Sequence, residues 1–190
     1  MDILHYSVEQ ALQTLRAGGI ILYPTDTIWG IGCDATDEKA IARIYRLKHR
    51  DDSKSMIILL ADKRDILKYT ANPDPSVFDY LQQSPRPTTV IYENALGLPD
   101  NLVNADGSIA IRIVKETFCK MLIKRLGRPI VSTSANISGQ SAPRNFTDVS
   151  QEIIQGVDYA VDYRQDDRTE AVSSRIIKIS GDGKIEIFRD

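Results

Sequence analysis

Three cations fall within seven positions at Lys48-His49-Arg50-Asp51-Asp52-Ser53-Lys54. Lys48 and Arg50 are two apart, so a helix would splay them and an extended segment would bring them to one side. Converging, desolvated cations suit a triphosphate: arginine offers a planar fork and lysine a point charge. The same residues also suit a solvated loop, because cations at a helix C-terminus meet its dipole and Asp51 and Asp52 can pair with them. Pattern alone favours the loop. A second polar run, Ser132-Thr133-Ser134-Ala135-Asn136-Ile137-Ser138-Gly139, follows an apolar segment. Alternation puts Ser132, Ser134 and Asn136 on one face, where two hydroxyls and an amide can orient a phosphate or a carboxylate. An ordinary Ser/Asn turn uses the same residue types and is slightly favoured by pattern.

Tyr23-Pro24-Thr25-Asp26-Thr27-Ile28-Trp29-Gly30-Ile31-Gly32 is a third such stretch. An extended backbone would point Tyr23, Thr25, Thr27 and Trp29 the same way, a wall of hydroxyls and rings beside a Gly30-x-Gly32 turn. The wall can hold a polar small molecule or can be a sheet edge running into a turn, and the pattern does not choose between them. Pro85-Arg86-Pro87-Thr88-Thr89 stiffens the approach to a strand. Arg112 interrupts the apolar Ile109, Ile111 and Ile113, which places it either outward by alternation or along a groove. Several signatures are absent: there is no P-loop, no dinucleotide-binding glycine run, no hydrolase elbow and no zinc-protease helix. Cys33 and Cys119 lack metal spacing, and His5 and His49 sit in no triad-like setting, so no metal site and no covalent nucleophile are expected.

The elements that position these residues follow from periodicity and punctuation. Ser7-Val8-Glu9-Gln10 reads as a capping box with Ser7 as N-cap, and Val8, Ala11, Leu12 and Leu15 continue a helix to Gly18-Gly19. Ile20 to Tyr23 reads as a buried strand. Thr36 caps a second helix along Ala40, Ile41, Ile44 and Leu47. Ser55 to Ala61 is a strand, and Asp74-Pro75 opens a helix toward Leu81. Strands follow at Thr88 to Tyr92, Ser108 to Val114 and Pro129 to Val131, with a helix from Phe118 to Leu126 stopped by Gly127. Thr147 to Gln155 reads as a helix closed by Gly156. Ser174 to Ile179 and Lys184 to Phe188 form a hairpin. Intermixed helices and strands without repeats give an α+β (α/β-like) class, with one twisted mixed sheet flanked by helices in a single domain over 1–190.

The 190 residues carry 24 Lys+Arg against 26 Asp+Glu, a net charge of −2. A surface built to coat nucleic acid would be strongly basic, so any polyanion site must be local. The longest uncharged apolar stretch, Ala17 to Thr25, falls short of the ~20 residues that span a bilayer. No secretory signal is visible, and two lone cysteines fit a reducing compartment, so a cytoplasmic protein with no membrane partner is expected.

Taken together in order, these blocks resemble the YrdC-like family of threonylcarbamoyl-AMP synthases. Tyr23 to Ala35 is similar to the family's opening signature, with Trp29 where tyrosine is usual. Leu47 to Arg50 with Lys54 resembles its basic loop, and Pro87-Thr88-Thr89, Arg112 and Ser132 to Gly139 match further blocks. The chain departs from the pattern at Pro85-Arg86-Pro87, where Pro-Gly-Pro is usual, and at Ala110 and Val114, where glycine and proline commonly flank the strand arginine. It departs again at Ser173-Ser174-Arg175 and at Arg189-Asp190, which replaces a Pro-Gly ending.

The resemblance implies a YrdC-like fold with a basic concave groove. It also implies a nucleotidyltransferase that turns ATP, L-threonine and bicarbonate into L-threonylcarbamoyl-AMP and pyrophosphate for tRNA threonylcarbamoyladenosine. Carried over residue by residue, the catalytic set is Lys48, Arg50, Ser134 and Asn136. Thr25, Thr27, Arg50 and Arg112 would meet threonine and bicarbonate. Lys48, Arg50, Lys54, Ser108, Ser132, Ser134, Asn136, Ser174 and Arg189 would meet the nucleotide. The resemblance also implies Mg2+ on the triphosphate, held mainly by phosphates and water, and tRNA, structured RNA or tRNA-modifying proteins as partners. The alternative is a YciO-like paralogue that binds nucleotide or structured RNA without this activity. Adenylyl transfer to another carboxylate is a third reading.

Overall fold

Alternating burial along the strands divides the protein into two apolar layers, one on each face of a single sheet. The structure is a computed structural model and describes residues 2–50, 56–180 and 183–190. The strands are β1 (Ile21–Tyr23), β2 (Gly30–Gly32), β3 (Ile57–Leu60), β4 (Thr88–Tyr92), β5 (Ile109–Ile113), β6 (Ile130–Ser134), β7 (Tyr159–Ala160), β8 (Arg175–Ile179) and β9 (Ile185–Arg189). Their order across the sheet is β7-β1-β2-β6-β3-β5-β4-β8-β9. The pairs β1/β7, β3/β5 and β4/β8 are parallel and the others antiparallel.

Helices α1 (Ile3–Arg16) and α4 (Thr117–Leu126) cover one face. Val8, Leu12, Leu15, Phe118 and Leu122 pack there on Ile21, Tyr23, Leu59 and Ile130. Helices α2 (Glu38–Leu47), α3 (Ser76–Gln83) and α5 (Gln151–Gly156) cover the other. Ile41, Ile44, Val77 and Ile153 pack there on Leu22, Ile31, Ile58, Val90, Ile111 and Val131. Period-2 geometry explains the split, since Ile21 and Leu22, or Ile130 and Val131, must face opposite layers. The α1/α4 layer covers only part of its face. Beyond it, the same alternation carries Ser132, Ser134 and Arg112 into open space, and there the cavity lies.

Several expected boundaries move for identifiable reasons. Asp2, not Ser7, caps α1, its carboxylate accepting from His5 N at 2.9 Å, so the helix starts earlier and Ser7 is buried within it. Asp37, not Thr36, caps α2, accepting from the backbone N–H groups of Lys39 and Ala40, while Thr36 Oγ1 donates to Asp34 at 2.7 Å. The helix expected over Thr147 to Gln155 is a 3-10 turn, Phe146–Asp148, and then α5, because Val149 is extended and Ser150 caps a new start. Gly127 ends α4 in the left-handed region at φ +73°, as its position predicts.

The Gly30-x-Gly32 segment is no turn. It is β2, inserted between β1 and β6. A Cβ built on Gly32 would lie 2.1 Å from Val131 O and 2.8 Å from Tyr23 Cε1, so glycine is required by a neighbouring strand and a ring that local sequence does not reveal. Gly32→Ala should therefore destabilise the fold by about 3 kcal/mol in equilibrium denaturation. A value under about 1 kcal/mol would mean that β2 can shift away from β6.

A candidate anion-binding active site

A cavity of about 320 Å³ opens where β6, β5 and β8 leave the cover of α1 and α4. β6 supplies Ser132 and Ser134, which follow Ile130 on the same face; the strand runs three residues past Val131, so both serines stand on it and not in a turn. Past its end, Asn136 donates from Nδ2 to Ile137 O and Gln140 O, both at 2.9 Å. Its amide nitrogen is therefore spent inside the loop. Its Oδ1 is buried without a partner.

Arg112 is the penultimate residue of β5 and is 3% exposed. Asp26 Oδ1 is 3.3 Å from Nη2, but the angle makes no hydrogen bond, and both Nε and Nη2 are buried without an acceptor. Asp26 is held in turn by the backbone N–H of Lys115 at 3.0 Å. Two other guanidinia line the same cavity. Arg50 comes from the segment after α2, and Arg189 comes from β9 at the rim. Arg189 donates from Nε to Ser174 O at 2.9 Å and from Nη2 to Ser174 Oγ at 3.2 Å. Burial pulls the Arg189 pKa down, and the charge of Arg112 adds to it. Burial lowers that of Arg50 as well. Among the described residues that line the cavity there is no carboxylate. Three arginines around a cavity whose described lining carries no carboxylate make a candidate anion site.

Other residues singled out from the sequence are placed differently. Thr27 lines the cavity, while Thr25 sits behind it with its Oγ1 2.9 Å from Thr27 Oγ1. The shared wall of Tyr23, Thr25, Thr27 and Trp29 does not form. Tyr23 packs under α4 near Phe118, whereas Trp29 enters the opposite layer against Phe146 at 4.8 Å, because the chain bends after Pro24. Ser174 lines the cavity with Oγ 2.8 Å from Thr89 Oγ1. Ser108 is not brought there. It precedes β5, four residues or about 13 Å along the strand from Arg112, and its Oγ accepts from Asn104 in a tight turn. Lys54 lies outside the described residues. Sequence reasoning missed Gln140 and Ala142, which reach the cavity because Gly139, at φ +87°, turns the chain back. No local signal marks them.

The described cavity lining offers hydroxyls, two amides and guanidinia, a donor set that does not fit a resident magnesium site. Among the described residues, no group of three or more His, Cys, Asp or Glu could hold a metal ion. Nor is any helix long and apolar enough to cross a membrane.

The fold is a mixed-sheet α+β domain with a three-arginine cavity on one face of the sheet. The chain belongs to the Sua5/YciO/YrdC family, described as "Telomere recombination", whose sequence profile matches residues 13–190. It is similar to the threonylcarbamoyl-AMP synthase of Idiomarina loihiensis, with 34% identity over 76% of this chain and 79% of that protein. Among solved structures it is similar in fold to P. abyssi Sua5 complexed with L-threonine, with a TM-score of 0.79 and 24% identity over 90% of this chain. It spans about half of that longer protein, 50%. E. coli YciO is similar in fold at a TM-score of 0.79 and 22% identity, covering 96% of this chain and 88% of that one.

Lys48 takes an unexpected place. It ends α2 in a helical conformation, and His49 follows at φ +51°, so Lys48 and Arg50 diverge where an extended segment would have aligned them. The Lys48 side chain runs beneath the loop after β6, 1% exposed, and donates to Ser134 O and to Asn136 O. Its own carbonyl accepts from Ser138 N at 2.9 Å. Burial, with the Arg50 charge second, pulls the Lys48 pKa down to about 7, against about 10.4 in an unfolded chain. A neutral amine still has two N–H groups for these carbonyls. Between those two values the unfolded chain holds a proton that the folded chain has released, so stability rises with pH across that window. Wild type should gain thermal stability from pH 7 to pH 10 relative to Lys48→Met. Melting curves that differ by a constant amount over that range would mean that Lys48 keeps its proton.

Proposed function

We propose that this protein makes L-threonylcarbamoyl-AMP from ATP, L-threonine and bicarbonate, releasing pyrophosphate, with residues 1–190 acting as one domain. The observation that carries the reading is the three-arginine cavity beside Ser132, Ser134 and Asn136, in a chain 34% identical to a protein named for this activity. Support from elsewhere is narrower. The similar Sua5 fold is complexed with L-threonine, and the free, buried cysteines suit the cytoplasm. The product would pass to tRNA-modifying proteins that act on tRNA.

The threonine amine and bicarbonate give a carbamate and water. A carbamate oxygen then attacks the α-phosphorus of ATP, the bond to the β-phosphate oxygen breaks, and pyrophosphate leaves. Carbamate and triphosphate are both anions, so much of the barrier lies in holding like charges in line. Arg112 and Arg50, which both line the cavity, supply that stabilisation before the reaction starts. Arg189 at the rim neutralises the phosphates. Ser132 and Ser134 donate to phosphate or carbamate oxygens, Asn136 Oδ1 accepts from an N–H or O–H of the substrate, and Thr27 contacts threonine. Lys48 acts from below, holding the Ser134 to Ser138 loop. Magnesium would arrive with the triphosphate and leave with pyrophosphate, bound by phosphates and water. No protein nucleophile takes part.

Pyrophosphate release from ATP and bicarbonate should depend on L-threonine, and the product should have the mass of threonylcarbamoyl-AMP. Arg112→Ala should lower that rate by about 10²-fold while the protein stays folded. Release that ignores threonine or needs a different acid would move the reading to adenylyl transfer on another carboxylate. ATP binding without release would move it to a paralogue that holds nucleotide or structured RNA.

A further inference from the structure

Arg189 reaches the cavity because β9 carries one residue more than its partner. β8 and β9 pair in step at Ile179↔Ile185, Lys178↔Glu186 and Ile177↔Ile187, and then Ile176 pairs with Arg189. Phe188 is the extra residue. Paired residues share a face. Ile176 lines the cavity, while Ile177 lies in the opposite apolar layer. In an unbroken register Phe188 would stand beside Ile176, and Arg189 would follow Ile187 to the opposite face. The bulge exchanges the two.

Such a bulge sits at a weak place. β9 is the sheet's edge strand, every residue in it is exposed, and the shift falls in its last pair. Terminal pairs of this kind open at little cost. Directly after the bulge, one oxygen of Asp190 gathers three donors. It accepts from Arg86 Nη1 at 3.0 Å, from Arg175 Nε at 2.8 Å, and lies 2.7 Å from Arg175 Nη2. Arg86 precedes β4 and Arg175 opens β8, so the carboxylate joins the ends of three adjacent strands. Arg175 Nη1 is tied further to Tyr80 Oη on α3 at 3.2 Å.

We propose that Asp190, clamped between Arg86 and Arg175, is a positioning residue that locks the bulged register of β9 and so keeps Arg189, not Phe188, facing the nucleotide phosphates. The proposal rests on the reading of the cavity as an ATP site. Exposed ion pairs add little to global stability, so the clamp acts on which face Arg189 occupies and leaves the melting temperature nearly untouched.

The test is a double-variant cycle read by ATP affinity in calorimetry and by KM and kcat for pyrophosphate release. Asp190→Ala should weaken ATP binding and raise KM by about 5-fold, with kcat and melting temperature nearly unchanged, and Asp190→Glu should recover part of the loss. In an Arg189→Ala background, Asp190→Ala should have no further effect. Independent, multiplying losses in the double variant, or an Asp190→Ala protein that binds as wild type does, would overturn the proposal. Hydrogen exchange of the β9 amides reads the register without nucleotide. It should quicken in Asp190→Ala, and unchanged exchange would also overturn the clamp. Wild-type protein that binds no ATP would overturn the functional reading, while the exchange result still decides the clamp.

Discussion

A guanidinium buried in the centre of a β-sheet is the constraint around which this molecule is arranged. Arg112 sits between isoleucines on β5, 3% exposed, with one carboxylate close by and two nitrogens lacking acceptors. Leaving a charge so poorly matched is costly, and a protein core normally avoids it. The fold tolerates it because α1 and α4 stop short and leave the strand face open at that point. Asp26 offsets part of the charge, and the Lys115 backbone N–H keeps that carboxylate in place. Arg112 also lines the cavity, where an anion can match the charge that Asp26 leaves over.

The division of the sheet face into a covered and an open half was legible in part. Apolar runs such as Ile109 to Ile113 announce strands, and alternation there left Arg112 two alternatives, outward or along a groove. Which one holds depends on where helices from elsewhere in the chain end, and local pattern carries no trace of that. The glycines of β2 show the same limit. Gly30 and Gly32 read as a turn because glycine usually marks one, yet Gly32 is needed for contact with Val131, about a hundred residues away in sequence. Legibility was best where the cause is local. Gly127 ends α4, and the tail hairpin pairs as its apolar alternation and intervening glycines imply. It was poorest where two local causes compete, as at Ser7, whose capping box is overridden by Asp2, five residues before Ser7 itself becomes the first buried side chain of α1.

Lys48 and Arg50 show why composition can point to a site and still misassign its members. Both are cations in one short run, and an extended backbone would present them together. A single left-handed residue, His49, separates them. Arg50 lines the cavity, while Lys48 becomes a strut whose hydrogen bonds go to the backbone of the loop that carries Asn136. The two roles differ in what charge they need. Arg50 lines the cavity and keeps its charge at any ordinary pH. Lys48 only needs N–H donors, and a lowered pKa costs it nothing in that task. Releasing its proton also removes one positive charge from behind a cavity that already holds three.

That excess of positive charge explains how the loop and the strand edge depend on one another. Three guanidinia around one cavity repel, and in an exposed, flexible setting they would turn apart toward water. Here each is restrained by a different part of the fold: Arg112 by its place inside β5, Arg50 by the turn that closes α2, and Arg189 by Ser174 and the bulge in β9. The repulsion is therefore held by the folding energy of the sheet and is not met anew when substrate binds. An incoming polyanion meets charges that are already oriented and only partly hydrated, the condition under which electrostatic stabilisation of a reacting phosphate is strongest. For this the fold supplies one definite ingredient, cations fixed close together.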